Sequence, residues 1–210
     1  MNKNQAENSI PQNNAPGRAI ALGFFDGVHL GHAKLLKRTA DTAAEMGLIP
    51  TVFTFDKHPA NEITGHPPLL LNTICDREYI MHRYCGIDEV IFAHFDSAMM
   101  HMPWFRFIRE KLVDELNAKY LIAGWDFRFG YKGEGNPGLL TEEAACIGIG
   151  CDIIPEIVID GITVSSTYIR ALIAQGDMER AALFLGHPHI LSGVVGHGRR
   201  LGSELGIPTV

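Results

Sequence analysis

Two histidines three positions apart, His29 and His32, close the run Gly23-Phe24-Phe25-Asp26-Gly27-Val28-His29-Leu30-Gly31-His32. Imidazoles can donate hydrogen bonds to phosphoryl oxygens, and glycines let a backbone approach a ligand closely. The run follows the apolar segment Ala19 to Leu22 and opens an amphipathic segment at Leu30, so it reads as strand, tight turn, helix. A helix N-terminus offers unbonded N–H groups and the positive end of its macrodipole, which together attract anions. Residues i and i+3 lie on one side of a turn, so both rings can face one ligand. That arrangement suits a triphosphate. The same residues admit two plainer readings: histidines that cap the helix or face solvent, and an i,i+3 zinc pair. No cysteine or carboxylate cluster stands near in sequence to complete a zinc set. Asp26 can orient the turn through backbone hydrogen bonds.

A second group stands near the other end of the chain. Ser165-Ser166-Thr167 occupies a helix start, where hydroxyls and N–H groups either cap the helix or hold phosphate oxygens. Arg170, one turn later, offers a charged fork for phosphate or remains exposed. Asp126 is either a buried partner of Arg128 or a contact to substrate or magnesium. Phe127 and Phe129 suit packing, and a flat ligand would also use such rings as walls.

Alternating elements must position these groups. Strands are expected at Ile20–Phe24, Ile49–Phe55, Glu89–Phe92, Tyr120–Ala123 and Cys151–Ile159. Helices are expected at Leu30–Glu45 with Gly47 as C-cap, Ile74–Tyr84, Pro103–Asn117, Leu139–Ile147, Ser165–Ala174 and Met178–Gly186. Apolar strands separated by helices imply a parallel sheet covered on both faces, with ligands bound beyond the carboxyl ends of the strands. His29, His32, His58, Asp126 and Ser165 all follow strands and should converge on one crevice. Trp104, Phe105 and Phe107, with Met99, Met100 and Met102, read as core or lid packing.

Composition narrows the class. At 46% hydrophobic and 20% charged residues the chain resembles an ordinary globular protein. A net charge of −6 argues against a nucleic-acid partner, and it requires local positive potential for any anionic ligand. No segment suggests a membrane span or a signal peptide. Cys75, Cys85, Cys146 and Cys151 have no C-x-x-C spacing and read as buried reduced thiols, which suits the cytoplasm. Residues 1–17, rich in Asn, Gln and Pro, read as a disordered lead-in.

The long histidine run resembles the G-x-F-D-G-x-H-x-G-H signature of bacterial FAD synthetases, the bifunctional riboflavin kinase/FMN adenylyltransferases. Four further stretches match that family in order. They are Thr54-Phe55-Asp56-Lys57-His58-Pro59, Gly124-Trp125-Asp126-Phe127-Arg128-Phe129-Gly130, Val164-Ser165-Ser166-Thr167-Tyr168-Ile169-Arg170, and Gly198 to Thr209. The first three belong to the adenylyltransferase domain, and the last resembles the opening of the riboflavin kinase domain.

The resemblance implies a doubly wound, Rossmann-like α/β domain of the HxGH nucleotidyltransferase type over residues 18–186. An incomplete start of the kinase β-barrel, short and β-rich, would follow over 187–210. It implies adenylyl transfer from ATP to FMN, giving FAD and pyrophosphate with Mg²⁺. His29, His32 and Arg170 would be catalytic. Gly23, Phe24, Asp26, Gly31, Ser165, Ser166 and Thr167 would bind nucleotide, and His58, Pro59, Asp126, Phe127 and Phe129 would bind flavin. Asp126 is also the candidate metal contact. The pair Asp56 and His58 is not needed as a general base, because an FMN phosphate is already anionic. The chain ends Pro208-Thr209-Val210, where the family has P-T-A-N, so no riboflavin kinase activity is expected of it. Two other readings stay open: a related nucleotidyltransferase with another phosphorylated acceptor, and a non-catalytic flavin-binding module.

Overall fold

The computed structural model describes residues 16–194 apart from Thr64. The chain begins with β1 (Arg18–Leu22), a 3-10 turn at Asp26–Val28, α1 (Leu30–Met46), β2 (Ile49–Phe55) and α2 (Ala60–Ile63). α3 (Ile74–Cys85), β3 (Glu89–Ala93), α4 (Ser97–Met100) and α5 (Trp104–Arg106) follow, and α5 runs into a π-helix at Phe107–Glu115. Then come β4 (Ala118–Gly124), α6 (Pro137–Ile147), β5 (Gly150–Ile154), β6 (Val158–Ile159), β7 (Ile162–Thr163), α7 (Ser166–Gln175) and α8 (Met178–Leu185).

Five strands form one sheet in the order β3-β2-β1-β4-β5, every pairing parallel. The order reverses direction at β1, which places a crevice beyond the carboxyl ends of β1 and β4. Alternation along β1 divides the core. Ala19 and Ala21 join Leu35, Leu36, Ile80 and Met81 of α1 and α3, while Ile20 and Leu22 join Phe107, Ile108, Leu112 and Leu140 on the opposite face. β1 is therefore apolar on both faces, as a central parallel strand must be. A third cluster, Leu71, Val164, Ile169, Leu172, Phe184 and Leu185, fastens α7 and α8 beside the sheet.

The helix ends carry recognisable caps. Gly47 closes α1 with φ 64°, and its N–H bonds the Ala43 carbonyl. Thr73 and Asp76 form a capping box at the start of α3. Asn136 caps α6, with proline at the first helical position.

Three expectations need correction. The segment expected as one helix from Pro103 to Asn117 is instead α5 followed by the π-helix, with Phe107, Ile108 and Leu112 buried. Leu112 lies five and four residues beyond Phe107 and Ile108, a separation that a wider i→i+5 turn keeps on one side. The strand expected over Cys151–Ile159 stops at Ile154, because Pro155 has no N–H for the ladder. Beyond it, Asp160 and Gly161, at φ 50° and 76°, make the two-residue turn of the β6–β7 hairpin. Finally, Cys75 and Cys146 are exposed and only Cys85 is buried, all four being free thiols.

The reading of the lead-in lies almost wholly outside the described residues, as does most of the expected β-rich tail. Residues 187–194 contain no strand. Phe107 is core, whereas Phe105 is exposed.

Candidate active site

The turn between β1 and α1 has an unusual backbone. Phe25, Gly27 and Val28 have φ of 59°, 82° and 42°, and a β-branched residue at positive φ is strained. Gly27 admits its positive φ because it has no Cβ, and a Cβ there would also stand 2.6 Å from Leu71. The turn aims His29 at the first turn of the helix. Its Nδ1 accepts the His32 backbone N–H at 3.3 Å, so the ring caps α1 and carries its own proton on Nε2. The His32 ring stacks on that of His29, with centroids 3.6 Å apart and planes 15° apart. Phe25 meets the His32 ring at its edge, with centroids 5.2 Å apart, and backs the pair.

Both histidines are neutral at physiological pH. Burial pushes His29 down to about 4. Burial, and then the neighbouring His29, hold His32 well below the usual histidine range. Nδ1 of His32 is buried without a partner. The capping reading is thus realised in His29, but neither ring faces open solvent. Among the described residues no group of three or more His, Cys, Asp or Glu is placed to hold a metal ion.

Asp26 organises the remainder. Its Oδ1 accepts the Leu71 N–H at 2.8 Å and the Asn72 N–H at 3.3 Å. Its Oδ2 pairs with Arg170 Nη2 at 3.3 Å, and its own carbonyl accepts the Ser166 hydroxyl at 2.8 Å. Asp26 therefore faces protein partners, and its part is to hold Arg170 and the start of α7 against the β1–α1 turn. Ser165 caps α7 by accepting the Tyr168 N–H. Thr167 accepts a long hydrogen bond from Arg170, whose Nε is buried and unpartnered.

One cavity of about 430 Å³ joins these groups. It is lined by Gly23, Phe24, Asp26, His29, Gly31 and His32 from the first turn, His58 and Pro59 beyond β2, Asp126 and Phe127 beyond β4, and Ser165, Ser166, Thr167 and Arg170 at α7. All but one of the candidate residues named from sequence thus border it. The exception is Phe129, which is 6% exposed and packs between Phe107 and Gly135 in the core. A strand-like bridge to Gly135 turns its ring inward, while Phe127 faces the cavity.

Asp126 is exposed and makes no ion pair with Arg128, which corrects the buried-pair reading. Asp56 and His58 do not pair either. Asp56 bonds His94 at 2.7 Å, and His58 Nδ1 accepts the Ala60 N–H at 3.1 Å. Burial, and then the Arg170 charge, lower the His58 pKa.

Several lining residues escaped the sequence reading: Trp125, Arg128 and Glu156 among them. So did Arg77, a fully buried cation behind Phe24. Its signal was available, since an Arg sits among Ile80 and Met81 on the buried side of α3.

Comparison with known proteins settles the family. The family model for FAD synthetase matches residues 11–168. The chain belongs to the FAD synthetase family. A bifunctional riboflavin kinase/FMN adenylyltransferase of Haemophilus influenzae is 34% identical over 92% of this chain and 63% of its own length. Its Bacillus subtilis counterpart is 31% identical over 90% and 60%. The Escherichia coli K12 counterpart is 33% identical over 92% and 62%. This FAD synthetase family member therefore spans a little over three fifths of such relatives. Among solved structures, one described as a macrolide-efflux protein from Streptococcus pneumoniae superposes with a TM-score of 0.79 at 28% identity. It is matched over 92% of this chain and 63% of its own. No helix among the described residues is long and apolar enough to cross a membrane.

Proposed function

We propose that the domain over residues 18–186 transfers the adenylyl group of ATP to FMN, yielding FAD and pyrophosphate. The observation that carries this reading is the convergence of two helix N-termini on one cavity. The stacked His29–His32 pair opens α1, and Ser165 to Thr167 with Arg170 open α7. Family membership supports it.

In this reading an FMN phosphate oxygen attacks the α-phosphorus, and the bond from that phosphorus to the α,β-bridging oxygen breaks. The phosphate nucleophile needs no base, so the protein contributes position and electrostatics. His29, whose proton lies on Nε2, donates to the phosphate bearing the developing charge, and His32 donates beside it. Arg170, steered by Asp26, binds the departing β- and γ-phosphates. Gly23 and Gly31 keep the backbone thin there: a side chain at Gly31 would stand 3.2 Å from the His29 ring. His58, Pro59, Phe24 and Phe127 form the flavin wall.

Mg²⁺ fits this donor set only as an ion carried mostly by substrate phosphates and water, with Asp126 the free carboxylate beyond β4 to hold it. Bound there, it would neutralise charge on the phosphates. Residues 187–210 are assigned to a stretch like the start of a riboflavin kinase domain, and the site of action to the cytoplasm.

The test incubates the purified chain with FMN, ATP and Mg²⁺ and separates the flavins by chromatography, with a His29→Ala, His32→Ala variant alongside. FAD from the parent is the expected result. Each lost donor should raise the barrier by about 2–4 kcal/mol, so the double variant should make no measurable FAD. A folded parent that binds FMN yet releases no pyrophosphate overturns the reading in favour of a flavin-binding module.

A further inference from the structure

Arg77 is the largest fully buried side chain described. Its guanidinium donates to the Phe24 carbonyl at 2.8 Å, the Phe55 carbonyl at 3.1 Å and the Thr54 hydroxyl at 3.4 Å. All three acceptors are neutral. Nε is buried with no partner, and among the described residues no carboxylate pairs with the group. The carboxylates that act on it through space are Asp26 and Asp56. Asp26 is already shared with Arg170, and Asp56 with His94.

Burying a cation without a counter-ion is costly, and an apolar side chain would fill the same space at less expense. The surroundings offset part of this through the rings of Phe24 and Phe92, 4.6 Å and 5.3 Å from the guanidinium carbon. Phe24 itself lines the cavity and meets His58 edge-on at 4.7 Å. The charge therefore lies directly behind the Phe24–His58 wall, and its potential reaches His58, where it disfavours protonation. Two guanidinium groups, Arg77 and Arg170, thus stand against the Asp26 and Asp56 carboxylates here, and of the two only Arg170 has a carboxylate in direct contact.

We propose that Arg77 makes the cavity discriminate between a phosphorylated and an unphosphorylated flavin, by placing a cation with no carboxylate in direct contact behind the Phe24–His58 wall. This rests on the flavin-binding reading above. A phosphate dianion in the cavity is attracted by that cation, whereas neutral riboflavin gains nothing from it. Arg77 touches no substrate and acts through Phe24; it is a positioning and specificity residue.

The experiment measures FMN and riboflavin dissociation constants by flavin fluorescence for the parent, Arg77→Met and Arg77→Lys, at low and high salt. The parent should prefer FMN, and Arg77→Met should lose about tenfold of that preference with riboflavin affinity held within about twofold. Arg77→Lys keeps the charge but not the planar fork, so it should retain the preference. Equal weakening of both flavins in Arg77→Met marks Arg77 as merely structural and overturns the proposal. So does an unchanged ratio. If Arg77→Met does not fold, Arg77→Lys decides: preference kept supports the proposal, and preference lost overturns it. A parent that binds FMN no better than riboflavin defeats this inference while leaving FAD formation intact. A parent that binds neither flavin defeats the functional reading as well.

Discussion

Replacing Asp26 by alanine would remove a carboxylate that is 2% exposed and holds groups from two distant parts of the chain. Two backbone amides, of Leu71 and Asn72, would lose their acceptor, each costing about 1–3 kcal/mol if it stays dry. Arg170 would lose its ion pair. A fully buried pair would cost about 3–5 kcal/mol to break, but the Arg170 side chain is 22% exposed and water recovers part of that. We expect about 3–5 kcal/mol in all, and with about 2–4 °C per kcal/mol for a domain of this size, a Tm lower by about 6–20 °C. Asp26→Asn is more lenient. Its oxygen can still accept from the amides while its NH₂ turns to Arg170, so about 1–2 kcal/mol is lost. Both variants free Arg170, and both should lower kcat for adenylyl transfer. Urea unfolding and thermal scans give the stabilities, and steady-state FAD formation gives the rates. An Asp26→Ala variant within about 0.5 kcal/mol of the parent would refute the reasoning, since a surface position tolerates that change. So would a stable variant with unaltered kcat.

Two further predictions follow from the site. His29 has its pKa lowered from 6.5 to about 4 by burial, so the unfolded chain binds more protons between those values. Its contribution is fully present above pH 6.5 and is lost progressively as pH falls to about 4, amounting to about 3 kcal/mol at 1.36 kcal/mol per unit. His29→Gln should flatten the fall in urea stability across that window; an unchanged slope assigns the acid sensitivity elsewhere. The two phenylalanines beyond β4 should separate cleanly. Phe129→Ala opens the core and should cost about 3–5 kcal/mol, whereas Phe127→Ala should chiefly raise the KM for FMN with a smaller loss of stability. The reverse pattern in unfolding and kinetics would overturn their assignment to core and cavity.

Much of this molecule is written locally. The five main strands, the Gly47 cap and the two helix N-termini with their histidines and hydroxyls follow from short-range pattern, because period, caps and turns are nearest-neighbour physics. The family signature is likewise a matter of contiguous residues. What the sequence left open depends on partners distant in the chain. Nothing within six residues of Asp26 reveals that its carboxylate reaches Leu71, Asn72 and Arg170. Phe127 and Phe129 have the same residue type, and only the bridge to Gly135 sends one inward and leaves the other at the cavity. The π-helix after Arg106 answers to the space above β4, which packing alone defines. Arg77 reads in sequence as one more charge on a helix. Its burial beneath Phe24 exists only because β1, β2 and α3 close over it, a long-range packing event that no local window contains.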